Sequence, residues 1–415
     1  METASVVIIG GGISGAAVAY FLAKRGCADV LMLEQNQLGS GSTGAAAGGI
    51  RSQFSTEVNI LCSLLSLPFW ERFEEETGSP HAFQRTGYLF LATTAAELEA
   101  VSEGVALQNR LGVPSRVVRP DEMAALAPGL NTGDLAGGAY SAEDGVGSPY
   151  DALQGYVRGA RARGVRVREA VKVSRIETEA GRVRAVRLAD GERVATPIVV
   201  NATGAWAGEI GRLAGLEIPV RPFRREIYVS EPFPELFGRS TESERRLASE
   251  GATLPATRHL PSVAPYPLVI DLHTGWYYRR EGERVLMAGE ADRFSSWNTT
   301  LDWPRLPEVA KVAMHRVPLL ARASFGSGWA GSYDISPDNH ALLGGFPELE
   351  GFVCACGFSG HGYMHSPATG LLVAELILDG HAHSLDIGPL APTRFREGRR
   401  ILERLTTHGE LPDGD

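Results

Sequence analysis

The feature that most constrains this chain is a run of ten residues near its start, Val6-Val7-Ile8-Ile9-Gly10-Gly11-Gly12-Ile13-Ser14-Gly15. The four apolar residues suit a strand buried on both faces. Gly10, Gly12 and Gly15 complete G-x-G-x-x-G. A helical stretch follows over 16–25, Gly26 ends it, and a second apolar strand over 30–33 closes on Glu34. Strand, glycine turn, helix, strand and terminal acid together make the fingerprint of a dinucleotide site. Gly10 permits the tight turn, Gly12 lets backbone approach a pyrophosphate, and Gly15 lets helix and strand pack closely. The helix N-terminus, which includes Ile13 and Ser14, offers N–H groups and partial positive charge to phosphates. Glu34 stands 24 residues after Gly10, near the spacing at which an acid binds ribose hydroxyls. A glycine turn that binds nothing would leave Glu34 without a role.

At 415 residues the chain exceeds one simple core, and two interleaved domains are expected. The net charge of -9 gives no reason to expect nucleic acid or an anionic membrane as partner. Cys27, Cys62, Cys354 and Cys356 include no C-x-x-C pair. They read as reduced structural thiols of a cytoplasmic protein, with Cys354 and Cys356 on one face of a strand. The apolar stretch over 5–23 is broken by glycines and has no basic region before it, so it reads neither as a membrane span nor as a signal peptide. No residue is assigned to a metal.

After Glu34 comes a segment rich in glycine, serine and alanine over 39–49, with Gly41, Ser42, Thr43, Gly48 and Gly49 able to lie flat against a ligand. Arg51 follows directly. The spacing then predicts a helix over 56–77 kinked at Pro68, a strand over 87–93, and helices over 95–111 and 120–127. Ser148-Pro149 with Asp151 opens a helix over 149–163. Strands follow over 165–168, 171–178, 182–188 and 194–200, the last running into Thr203-Gly204. A strand over 220–229 precedes an irregular, proline-rich stretch over 231–265, which is expected to be a mobile excursion. Strands over 267–271, 275–279 and 284–289 and a helix over 306–321 come next. An apolar strand at 353–355 leads into a glycine-rich loop over 357–364, then a last helix with Gly380 after it. The expected fold is α/β. A Rossmann-type nucleotide domain (1–80, 146–220, 325–390) is interleaved with an α+β substrate domain on an antiparallel or mixed sheet (81–145, 221–324). Residues 391–415 form a tail.

The pieces VVIIGGGISG with Glu34, GSGSTG, IRSQF, VVNATGAWAG, GWYYRREG, SPDNHALLG and GFSGHGYMHSPATG are spread over nearly the whole chain. Together they resemble the FAD-dependent amine and amino-acid oxidoreductases that include sarcosine oxidase, glycine oxidase and D-amino-acid oxidase. The last piece, with IRSQF, is most similar to the sarcosine oxidase β-subunit branch. The resemblance implies FAD, with its adenine half over 10–15, Glu34 and the backbone of Val173, and with Thr203-Gly204 facing the nucleotide. The flavin is then expected between 40–50 and the loop carrying Gly360, His361, Gly362, Tyr363 and Met364. A helix N-terminus there would stabilise negative charge on reduced flavin.

The same resemblance implies oxidation of a C–N bond by hydride transfer to flavin N5, followed by hydrolysis of the imine. Arg51 matches the family's carboxylate-binding arginine, and a guanidinium fork suits that task. Tyr278 matches a substrate-side position, and His361 is a candidate for contact with flavin or substrate. Two departures stand out. Many sarcosine-oxidising relatives have lysine where this chain has Met364. The cysteine that holds flavin covalently in monomeric oxidases would fall near Gly331, so non-covalent FAD is expected. The expected substrate is a secondary amine or amino acid bearing a carboxylate. A D-amino-acid dehydrogenase is the alternative within the class, and a non-catalytic flavoprotein assembly factor the alternative outside it. A partner subunit or homo-oligomer stays open.

Overall fold

The computed structural model describes residues 2–80, 83–237 and 266–406. At its centre is strand β1 (Val6–Ile9), no residue of which is more than 5% exposed. It is flanked in parallel by β2 (Val30–Leu33) and by Val199–Asn201. Outside these lie Arg166–Arg168 on one side and Leu349–Cys356 on the other, also parallel. Helix α1 (Ile13–Lys24) leaves β1 through the glycine turn and packs against the helices Pro149–Arg161 and Ser366–Asp379. This is the doubly wound arrangement that continuous apolar strands require, because both sheet faces must be covered. Gly10 has φ +110°, and a Cβ on Gly15 would lie 2.0 Å from the Gly10 carbonyl oxygen. Helix and turn can therefore meet only through glycine.

The second sheet has eight strands, in the order Phe325–Ile335, Arg221–Ser230, Arg284–Ala288, Tyr277–Glu281, Leu268–Asp271, Tyr88–Ala92, Gly137–Ser141, Arg116–Val118. Leu268–Asp271 and Tyr88–Ala92 are parallel while the other pairs are antiparallel, so the sheet is mixed. One face packs against the helix Leu306–Arg316 through Val309 and Ala313. The other, carrying Tyr88, Ile227, Leu268, Ile270 and Tyr277, looks back toward the nucleotide domain.

Several local expectations change. The helix expected over 56–77 is α2 (Glu57–Glu71) followed by Phe73–Thr77. The break falls at Arg72, whose N–H turns back to Phe69, and not at Pro68, where one lost ladder bond is tolerated. The strand expected over 194–200 divides into Arg193–Ala195 and Val199–Asn201, because Pro197 between them has no N–H for a ladder. Phe325–Ile335 pairs with Arg221–Ser230 from Arg221↔Ile335 to Ser230↔Phe325. The segment from 325 to 335 thus belongs to the second sheet, not to the nucleotide domain. Within the expected tail, residues 391–406 are held to the body: buried Arg394 donates to both carboxylate oxygens of Asp338, at 2.7 and 2.8 Å. Of the stretch 231–265, residues 231–237 contain the short helix Pro234–Phe237 with Phe233, Leu236 and Phe237 buried. The rest, 238–265, lies outside the described residues.

Candidate active site

A cavity of about 580 Å³ runs between the carboxyl ends of the parallel strands and the inward face of the second sheet. The first wall comes from the glycine turn. Gly10, Gly12, Ile13 and Ser14 line it, so the N-terminus of α1 opens on the cavity. Gly12 caps that helix without a side chain, and Thr43 Oγ1 accepts the Ile13 N–H at 3.0 Å. Glu34, at the end of β2, accepts the Gly11 N–H at 2.8 Å through Oε2 and the Asn36 N–H at 2.8 Å through Oε1. Val173, Thr203 and Gly204 also line the cavity, and Thr203 lies against Gly10. Gly41, Ser42, Gly48 and Gly49 continue the trough, and Ser42 Oγ donates to the Ser332 carbonyl. Gly15 does not line the cavity; its place is the helix–turn contact, because the third glycine of the motif faces back onto Gly10.

The far end is closed by 358–364, and Gly360, His361, Gly362, Tyr363 and Met364 all border the cavity. This loop is pinned from below. Asp334 Oδ2 accepts the Phe358 N–H at 3.0 Å, its carbonyl accepts Ser359 N–H at 3.1 Å, and Trp70 Nε1 donates to the Met364 carbonyl at 3.0 Å. Burial raises the Asp334 carboxyl to about 6, with the loop N–H groups opposing the shift. The His361 ring sits edge-on to Phe54 and His365, with centroids 5.4 and 5.1 Å away. Burial, followed by the charge of Arg51, lowers His365 to about 3, so it is a neutral imidazole at any ordinary pH. Its Nε2 lies 2.9 Å from Ser63 Oγ.

Arg51 lies at this end with its guanidinium 3.8 Å above the Phe54 ring. It donates to the carbonyls of Gln53 and Leu405. Among the described residues no carboxylate lies within ion-pair distance of it. Burial pushes it below the ordinary arginine range, and the charge of Glu403 is the foremost opposing influence. A guanidinium has five N–H donors, and these two bonds use two of them.

Tyr278 is not at this site. It is buried in the outer core, stacked on Trp276 and hydrogen-bonded to the Tyr266 hydroxyl at 2.6 Å. The cavity residue of this strand is Tyr277, because neighbours on a strand point to opposite faces. Tyr88 and Tyr333 join it, and Arg225 lies over the Tyr277 ring at 4.9 Å and the Tyr333 ring at 5.5 Å. Burial raises the phenols of Tyr88 and Tyr277, keeping them protonated. Thr406 also borders the cavity. Sequence reasoning missed these residues, although the alternation within GWYYRREG allowed only one of its two tyrosines to face inward. Arg279 and Arg280, which follow, are engaged elsewhere: Arg279 with Ala47 and Glu281, Arg280 with Gly282.

A glycine-walled trough with a helix N-terminus and an acid at one end fits an extended dinucleotide. The model of the FAD dependent oxidoreductase family matches residues 5–376. The chain belongs to that family. Its cofactor is FAD, and the trough from Glu34 to Met364 fits this cofactor. The chain is similar to mouse (Mus musculus) mitochondrial sarcosine dehydrogenase, 30% identical over 426 residues, which covers 98% of this chain and 42% of that protein. It is similar to FAD-dependent oxidoreductase domain-containing protein 1 of Xenopus laevis, 30% identical over 97% of this chain and 85% of that one. Among solved structures it is similar to L-proline dehydrogenase from P. horikoshii, with a TM-score of 0.84, 30% identity, and coverage of 96% and 100% of the two chains. The chain therefore spans less than half the length of the sarcosine dehydrogenase it matches. No helix among the described residues is long and apolar enough to cross a membrane. No cluster among them has three side chains able to hold a metal ion.

Proposed function

We propose that this flavoprotein oxidises the C–N bond of a secondary amine or amino acid that carries a carboxylate. The observation that carries the reading is the buried guanidinium of Arg51, which has no carboxylate of its own among the described residues and sits at the opposite end of the cavity from Glu34. Two similar proteins are named for sarcosine and L-proline, both secondary amines bearing a carboxylate. Bound FAD supplies the acceptor for a hydride equivalent from the carbon beside nitrogen.

The chain's own residues have three tasks in this reaction. Arg51 holds the carboxylate and so fixes the distance of the amine-bearing carbon from the cofactor. Its support on Phe54 and on two carbonyls limits the directions the fork can take. Tyr88 and Tyr277, as protonated phenols, offer hydrogen bonds without adding charge. The second task is to keep the amine neutral. Arg51 and Arg225 both border a wall that includes Ile227, Leu268 and Ile270. Two fixed positive charges and an apolar wall disfavour an ammonium ion and favour the free amine. The third is to orient the far end of the cofactor, which the reading gives to 360–364 and the helix behind them. His361, facing the cavity, is assigned to contact with flavin or substrate. Water hydrolyses the product imine.

The test is anaerobic mixing of the holoprotein with sarcosine, L-proline, glycine, other N-methyl amino acids and D-amino acids. Bleaching of the flavin by a secondary amino acid is the expected result. Bleaching by D-amino acids alone would favour the D-amino-acid reading. Bleaching by none of the panel would overturn the proposal and favour a flavoprotein whose FAD is structural.

A further inference from the structure

Residues 403–406 lie outside every sequence signature of the site, yet they reach Arg51 and the cavity wall. Glu403 is 2% exposed, and its carboxylate is enclosed by donors. Oε1 accepts the Ser55 N–H at 2.7 Å, the Ser55 hydroxyl at 2.6 Å and the Leu405 N–H at 3.1 Å. Oε2 accepts the Thr56 hydroxyl at 3.0 Å and the Asn59 amide at 3.2 Å. The Arg404 N–H returns to Ser55 Oγ at 2.7 Å. Among the described residues no basic side chain pairs with Glu403. A buried carboxylate is costly unless its lone pairs are satisfied; here they are satisfied by the residues that enter α2, just after the Arg51–Phe54 turn.

This staple has a defined product. It turns the chain so that the Leu405 side chain enters the apolar layer with Val101 and Val105. The Leu405 carbonyl meets Arg51 Nη2 at 3.1 Å, and Thr406 is delivered to the cavity. With Phe54 beneath and the Gln53 carbonyl at the other edge, the Leu405 carbonyl completes the frame that holds the guanidinium.

We propose that Glu403 is a positioning residue for the carboxylate anchor, acting through the Leu405 carbonyl, and that Thr406 borders the bound substrate and limits its size. The proposal rests on the reading of Arg51 as that anchor. The substrate pocket of this chain is then built partly from residues 403–406, and its selectivity is set there as well as in the second sheet.

The test uses the full-length holoprotein, with acetate and benzoate as probes and benzamide as the neutral control, each titrated against the visible spectrum of bound flavin. Arg51→Ala tests the underlying reading. If it binds both carboxylates as the wild type does, or if the wild type binds neither, the anchor assignment fails and the proposal with it. If Arg51→Ala loses binding, Glu403→Ala decides the first half. It should weaken both carboxylates by roughly tenfold or more, the scale of one disturbed buried charge contact, while FAD content and benzamide binding stay normal. Glu403→Gln, which keeps one acceptor oxygen, should recover part of the loss. Unchanged carboxylate affinity in both Glu403 variants would overturn the positioning role while leaving Arg51 in place. If Glu403→Ala does not fold, Glu403→Gln alone decides by the same criterion. Thr406→Trp, at a border and not in the staple, should weaken benzoate more than acetate. An unchanged ratio would overturn the size-limiting role.

Discussion

The carboxylate of Glu34 allows the most direct quantitative prediction. A carboxylate offers about four lone-pair positions. Two are taken in the folded chain, by the Gly11 and Asn36 N–H groups, each at 2.8 Å. On the reading that Glu34 holds the adenosine ribose, the other two accept its hydroxyls. Hydrogen bonds to an ionised acceptor contribute about 1.5–3 kcal/mol each, so Glu34→Ala should cost about 3–6 kcal/mol of FAD binding. That is roughly a hundred- to ten-thousand-fold in Kd. The substitution also strands two N–H groups, that of Gly11 in the glycine turn and that of Asn36 just after β2, so the apoprotein should lose some stability as well. Glu34→Gln separates the two effects, because it keeps one acceptor oxygen and should fall between. The assay is titration of each apoprotein with FAD, followed by quenching of flavin fluorescence, with urea midpoints measured in parallel. A Glu34→Ala apoprotein that binds FAD within about threefold of wild type would refute the ribose assignment, since even one lost bond of this kind exceeds that change.

Arg51→Ala should lower kcat/KM for the best carboxylate substrate by roughly thirty- to several-thousand-fold, from the about 2–5 kcal/mol lost with one partner of a buried pair. Arg51→Lys should recover only part, and an unaffected kcat/KM would pass the role to Arg225. Tyr277→Phe should alter substrate affinity or turnover, whereas Tyr278→Phe should act on stability through its lost bond to Tyr266; the reverse pattern in a side-by-side kinetic and thermal comparison would mean that the strand register is wrong. FAD should separate from acid-denatured protein on filtration: a Cβ at Gly331 would lie 2.4 Å from that of Ala45, leaving no room for the cysteine of covalent relatives, and colour retained with the polypeptide would contradict this. His365, lowered to about 3 from an ordinary 6.5, binds fewer protons folded than unfolded. Its contribution is present above pH 6.5 and lost as pH falls toward 3, on the order of 4–5 kcal/mol at about 1.36 per unit. Asp334, raised to about 6, works in the opposite sense between 3.8 and 6. Urea midpoints at pH 7, 5 and 4 should therefore fall less in His365→Gln than in wild type, and parallel slopes would count against the assignment.

The nucleotide half of the site was legible because its signals are local. Gly10, Gly12, Glu34 and the apolar strands around them occupy one continuous βαβ unit, and sequence spacing settles the geometry. The substrate half was legible only in part. Tyr277 and Tyr278 are adjacent, and choosing between them needs the register of a strand whose neighbours come from 268–271 and 284–288. The strand Phe325–Ile335 has three glycines and little strand propensity of its own. It is a strand because Arg221–Ser230 lies beside it along its length, and that is not a local fact. Arg225 is one of three arginines in RPFRREIYV, and Glu403 has no motif around it. Only the fold turns either of them inward.

The walls of the cavity come from positions as far apart as Gly10, Val173, Arg225, Asp334, His361 and Thr406. The order in which these emerge during synthesis has a consequence. A growing chain exposes the glycine turn first, but the opposing loop at 358–364 appears only after more than three hundred further residues. Until then the trough lacks its end wall, although the second sheet already supplies the wall opposite the parallel strands. Flavin is therefore expected to bind late, once 358–364 has closed that end. Chains stalled at successive lengths on the ribosome would show this, by acquiring yellow colour only in those that carry residues past 364.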